Sequence, residues 1–285
     1  MSSVAMEGVA FPSAGRVLSG ALFEASSPGP VAVVLCHGAF EFKDNWFDYA
    51  ERLAGQGFTA LTFDFTGHGE SEGLRGTVDM HVWPYDIREA LNLLGRRGYE
   101  RFGLVGWDSG GSAVVLAAAH DPRVRCAAVL SAPVFLMPSL ADRAAFTLAL
   151  GASKVKRALW KKPLTLSRVK ELDRMRVAVD DEVNERYRSD ARVRAYFEAV
   201  PIPECLDHVW IDVTRAVQKV KVPTLIVHGA EDVVHPVKQS RKLHHALPGR
   251  KKLHVVEGTG HALHLDRQRD EVYKLIARWM KRHLT

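Results

Sequence analysis

The run Gly106-Trp107-Asp108-Ser109-Gly110 sets an acidic side chain between two glycines, after an apolar segment and before a helix-forming one. A strand, then Gly-x-nucleophile-x-Gly, then a helix makes a sharp turn that exposes the central side chain at the top of a sheet. Glycines belong there because neighbouring side chains would clash in so tight a turn. The central residue is Asp108. A frame centred on Ser109 would need a small residue at 107, where tryptophan stands, so Asp108 is the favoured nucleophile.

A carboxylate with a pKa near ~4 is ionised at neutral pH and needs no base to activate it. Held in line and desolvated, it can displace a leaving group from a saturated carbon and become an alkyl ester. Attack on an ordinary ester would instead form an acid anhydride. A carboxylate leaves more easily than an alkoxide, so that reaction would run mostly backwards. The residue type therefore favours an epoxide, an alkyl halide or a strained lactone. Hydrolysis of the resulting ester needs an activated water. Asp232, after VHGAE, and His261, in GTGHALH, have the residue types for an oriented base, with Glu231 as the fallback acid. An epoxide also needs an acid for its oxygen. Tyr187 and Tyr196 are candidates, with packing of amphipathic helices as the plainer role for both.

Segments with strand and helix periodicity must position these groups. MEGVAFP and RVLSGALFEA flank the turn Pro12-Ser13-Ala14-Gly15 and read as an opening hairpin. Strands are expected at 31–38, 58–65, 101–107, 124–134, 223–229 and 251–258, with 31–38 and 58–65 buried. Helices are expected at 46–56, 84–97, 112–120, 238–247 and 267–283. Strands alternating with helices give an α/β fold, a mostly parallel sheet with helices on both faces. Such sheets bind ligands at the C-terminal strand ends, where His37-Gly38-Ala39, Asp108, Asp232 and His261 fall. The stretch 135–215 breaks the rhythm, with several helical runs and no strand-like one. It reads as a helical cap inserted into a core formed by 1–134 and 216–285.

The order strand-HG, DFTGHGES at 64–71, elbow, late Asp and late His resembles the α/β-hydrolase superfamily over nearly the whole chain except the cap. DFTGHGESEG and HGAFEFKDNW are most similar to serine-type carboxylesterases and related acyl hydrolases. The resemblance implies Asp108 as nucleophile, Asp232 as acid and His261 as base, with the backbone N–H groups of Ala39 and Ser109 as the oxyanion hole. An aspartate at the elbow is found instead in the superfamily's epoxide hydrolases and dehalogenases. Two of their marks are absent: Phe40 stands where epoxide hydrolases have proline, and Ser109 where haloalkane dehalogenases have tryptophan. By position Phe40 and Trp107 border the expected pocket, with simple core packing as the equal alternative. His37 and His68 are read as structural loop residues.

These observations point to a cofactor-free hydrolase working through an Asp108 ester. The alternatives are an acyl hydrolase whose serine is replaced by Asp108, weakly active or inactive, and a binding protein of the same fold. A pocket that only binds has no need of an acid–base pair. The 285 residues are ordinary in composition, 47% hydrophobic and 25% charged, which suits a chain with its own core. The net charge of +6 arises largely between Lys154 and Arg194, where basic and acidic residues mix at helical spacing. That is the pattern of a solvated helix face, so nucleic acid is not an expected partner. Cys36 and Cys126 lie in apolar runs and read as reduced core thiols; with Cys205 they make an odd count. No leader pattern and no apolar run near ~20 residues occurs. A cytoplasmic protein is expected, with a small-molecule substrate, no membrane partner and compatibility with a homodimer. Neither a metal-ligand grouping nor a dinucleotide fingerprint is evident.

Overall fold

The computed structural model describes residues 4–136, 139–201 and 211–285. Strands β1 (Met6–Ser13) and β2 (Arg16–Phe23) form the opening hairpin. Its turn residues Ala14 and Gly15 both have positive φ, 46° and 76°, the twist that suits a two-residue hairpin. The hairpin extends a sheet with β3 (Val31–Cys36), β4 (Thr59–Phe63), β5 (Arg101–Trp107), β6 (Val124–Leu130), β9 (Thr224–Gly229) and β10 (Lys251–Val256). The order across the sheet is β1-β2-β4-β3-β5-β6-β9-β10. Only the pairs made by β2 are antiparallel; every other pair is parallel.

Alternation along β3 shows why both faces must be covered. Val31, Val33 and Leu35 join one core with residues of α1 (Phe47–Ala54) and α10 (Arg269–His283), including Leu53, Ile276 and Met280. Ala32, Val34 and Cys36 join the other, against α2 (Trp83–Arg96), α3 (Asp108–Ala118) and α9 (Lys238–Ala246). Burying a leucine or isoleucine of this kind contributes about 2 kcal/mol, so period-2 patterning fixes the register. The strand ends are fixed with it. Cys36 and Cys126 are buried free thiols, and burial pushes the Cys126 thiol up to about 12. Cys205 lies outside the described residues.

Between β6 and β9 the described chain is mainly helical: α4 (Leu140–Trp160), α5 (Val169–Leu172), α6 (Asp181–Ser189), α7 (Ala191–Glu198) and α8 (Thr214–Val217). Asp180 and Asp190 cap α6 and α7 with side-chain carboxylates, each accepting from a backbone N–H two residues on. One expectation fails here. The segment does hold strands, β7 (Thr165–Leu166) and β8 (Val200–Pro201), paired antiparallel outside the main sheet. Two residues are too few for alternation to register in sequence. Leu172, Val193, Tyr196 and Phe197 pack with Phe42 of the core. Arg192 pairs with Asp44 and lies 4.0 Å above the Phe42 ring. Among the described residues no helix is long and apolar enough to cross a membrane.

Candidate active site

The loops that follow β3, β5, β9 and β10 converge at one end of the sheet. At the end of β5 the chain turns into α3 through Asp108, whose φ is +50°. A non-glycine residue rarely adopts that backbone, and aspartate is among the side chains that tolerate it. The glycines around it answer to close packing. A Cβ on Gly106 would lie 2.5 Å from the carbonyl oxygen of Gly110. One on Gly110 would overlap the carbonyl oxygen of His37. The elbow is therefore wedged between β3 and the first turn of α3. Asp108 opens that helix, where the backbone dipole favours a negative charge.

The Asp108 carboxylate is buried and its two oxygens have different neighbours. Oδ2 accepts the backbone N–H of Ala39 at 3.0 Å. Oδ1 accepts from Nε2 of His235 at 2.9 Å and lies 3.7 Å from Nε2 of His261. His261 donates through Nδ1 to Oδ2 of Asp232 at 2.9 Å, which leaves Nε2 turned toward Asp108. Oδ1 of Asp232 accepts the backbone N–H groups of Val234 and His235. Burial alone would raise the Asp232 carboxyl. Hydrogen bonds from His228 and His261, and the His261 charge, outweigh it and hold the group far below the carboxylate range.

Sequence spacing brought Asp108, Asp232 and His261 to notice, and the structure places them together. Glu231, the fallback, instead accepts the N–H groups of Gly258 and Thr259 and so ties the β9 and β10 loops. Ala39 presents its N–H to Asp108, and Ser109, the next residue, is fully buried at the start of α3. Trp107 is buried, and its indole N–H donates to the carbonyl of His261 at 2.7 Å. Phe40, at φ +56°, turns toward the helical segment and packs on Phe197 and Tyr196. The Tyr196 oxygen accepts the N–H of Gly69 at 2.7 Å, fastening α7 to the loop after β4. Tyr187 is raised above the ordinary phenol range by burial first, then by the charges of Glu41 and Asp108. His37 accepts from the N–H of Phe65, and His68 from the N–H of Phe40. Burial pushes the His68 pKa down to about 3, so it stays neutral.

Two residues went unnoticed in the sequence. His235 sits three positions after Asp232, and its turn folds the ring back onto Asp108. Burial opposes its charged form, but the Asp108 hydrogen bond and the charges of Asp108 and Asp232 raise its pKa above the ordinary imidazole value. His228, at the end of β9, donates through Nε2 to Asp232 and to the carbonyl of His235, and accepts from Ser240. No spacing rule flags either one; the Asp-x-x-His pair at 232–235 was the available signal. Asp108, His235 and His261 each offer one ligand atom, all within 4.8 Å of one another. Two imidazoles and a carboxylate are donors that zinc accepts.

Comparison with known proteins agrees with the fold. A family model described as serine aminopeptidase, S33, matches residues 30–268. An uncharacterised 31.7 kDa protein of Escherichia coli is 27% identical over 88% of this chain and 91% of its own. Human monoglyceride lipase is 29% identical over 87% of this chain and 81% of its own. The crystal structure of the α/β hydrolase GrgF from Penicillium sp. sh18 superimposes with a TM-score of 0.84 at 21% identity, covering 99% of each chain. The chain belongs to the serine aminopeptidase S33 family of α/β hydrolases.

Proposed function

We propose that this family member is a cofactor-free hydrolase that attacks the saturated carbon of an epoxide or a carbon–halogen bond through Oδ1 of Asp108. The observation that carries the reading is the division of labour within one carboxylate. Oδ2 rests on the N–H of Ala39, while Oδ1, hydrogen-bonded by His235, also faces the Nε2 of His261. In the first step Oδ1 forms a bond to carbon and the bond to halide or epoxide oxygen breaks. Halide leaves as an anion; an epoxide oxygen takes a proton, for which Tyr187 is the candidate donor. In the second step His261 removes a proton from water, which adds to Cγ of the ester. Asp232 stabilises the imidazolium, and negative charge collects on Oδ2, against the Ala39 N–H. Collapse releases the alcohol and leaves the water oxygen in the carboxylate.

That last consequence supplies the test. A single turnover with excess enzyme in heavy-oxygen water is followed by mass spectrometry of the peptide containing Asp108. Label in Asp108 is the expected result. Product formed without label in that peptide overturns the reading.

The similarity to human monoglyceride lipase favours a second reading, an acyl hydrolase with Asp108 in place of serine. It would bind acyl substrates and turn them over slowly. Asp108→Ser, assayed on short aryl esters, decides it: gain of esterase activity supports this second reading, and continued inactivity rejects it.

A further inference from the structure

Helix α4 carries its apolar side outward. Leu148 is 76% exposed, Val155 58% and Leu159 66%, although a globular helix normally turns such residues inward. At about 100° per residue, Leu140, Ala144, Leu148, Gly151, Val155 and Leu159 fall within a sector of about 100°. The same geometry puts Lys154 and Lys156 within about 60° of the two edges of that sector. Trp160, 64% exposed, ends the helix, and Lys161 and Lys162 follow it. From Gly151 to Lys162 the sequence has five basic residues and no acidic one. Among the described residues no ion pair takes up Lys154, Lys156, Lys161 or Lys162.

We propose that α4 docks the protein onto the surface of a bilayer containing anionic lipid, with the Leu148–Leu159 stripe among the acyl chains and the lysines at the headgroups. The charge decides among occupants. A second copy of the same helix in parallel would bring lysines against lysines, whereas anionic headgroups match them. An apolar stripe bordered by lysines and ended by tryptophan is the composition of helices that lie in the membrane interface. The helix lies flat on one leaflet, so the absence of a spanning helix among the described residues does not conflict with it.

The test floats the full-length protein with vesicles of phosphatidylcholine alone and of phosphatidylcholine mixed with phosphatidylglycerol. The protein is expected to float with the mixed vesicles, roughly tenfold more than with the neutral ones, and to be released by salt. Lys154→Ala and Lys156→Ala should each weaken binding about fivefold, and Leu148→Glu with Leu159→Glu should abolish it. These positions are at the surface, so unchanged melting temperatures are expected, and the lysine variants serve should the glutamate pair fail to fold. Equal binding to both vesicle types, failure to float with either, or variants that float like the parent overturn the proposal. So does light scattering that finds a dimer dispersed by Leu148→Glu, which assigns the stripe to a second copy.

Discussion

The carboxylate of Asp108 accepts the backbone N–H of Ala39 at 3.0 Å, so the elbow side chain already occupies that donor. In an Asp108 ester the carbonyl oxygen would stand at that donor before water attacks. Charge would then develop where a dipole is pre-oriented, which is the arrangement that lowers a barrier most. Asp108→Asn tests the dependence on the carboxylate. Asparagine tolerates positive φ as aspartate does, so the elbow should hold and thermal melting should change little. Turnover should fall by roughly 10⁴-fold or more, as when a nucleophile is removed. Retained turnover in steady-state assays would exclude Asp108 as nucleophile.

Asp232→Asn should separate the two half-reactions. Asp232 holds His261 through its Nδ1, and in the proposed mechanism its loss would act on water activation. Covalent attack by Asp108 needs no base. The ester is therefore expected to accumulate, with turnover down by about 10⁴-fold. Intact-protein mass spectrometry after mixing with substrate should show the adduct. A slow variant that never accumulates it would place the base in the first step instead.

His235 sets a pH dependence whose sign can be worked out. Its pKa is raised in the folded protein, despite burial, by Asp108 and Asp232. The stabilisation is then fully present below the unfolded value of about 6.5 and is lost as pH rises through the folded value. Asp232, held far below the carboxylate range, behaves oppositely: its contribution is present above the unfolded value and fades only as pH falls toward its depressed one. Urea unfolding of His235→Gln against the parent should show the larger loss in mild acid and a smaller one in alkali. A loss independent of pH would mean that His235 packs without charge.

The sheet was legible because each buried strand is a short apolar run closed by glycine, proline or a charged residue. The elbow was legible because Gly106 and Gly110 answer to packing that any residue with a Cβ would violate. His235 was not, since its meeting with Asp108 depends on the fold of the loop after β9 and not on separation along the chain. Of the two roles the sequence left open for Trp107, pocket wall or core packing, its burial and its hydrogen bond to the His261 carbonyl fit packing. The face expected near Lys154 is at the surface, as its charge pattern implied. Its lysines share that surface with leucines, which a charge pattern does not reveal.

The last prediction concerns Asp64, in the loop that meets both Phe40 and Tyr196. Its buried carboxylate accepts the backbone N–H of Lys43 at 2.8 Å, the Lys43 ammonium at 2.7 Å and the N–H of Glu70 at 3.0 Å. Burial would raise its pKa, yet the Lys43 charge and these hydrogen bonds hold it below the usual value. Removing the charge leaves Lys43 buried with, among the described residues, the exposed Glu70 as its counter-ion. Breaking such a pair costs about 3–5 kcal/mol, whereas replacing both members costs far less. Asp64→Asn should therefore be strongly destabilised in urea unfolding. Adding Lys43→Met should recover part of the loss, giving a coupling energy between the two sites. If the double variant loses as much as the two single variants summed, the pair is uncoupled, and the loop is held by the backbone hydrogen bonds of Asp64 alone.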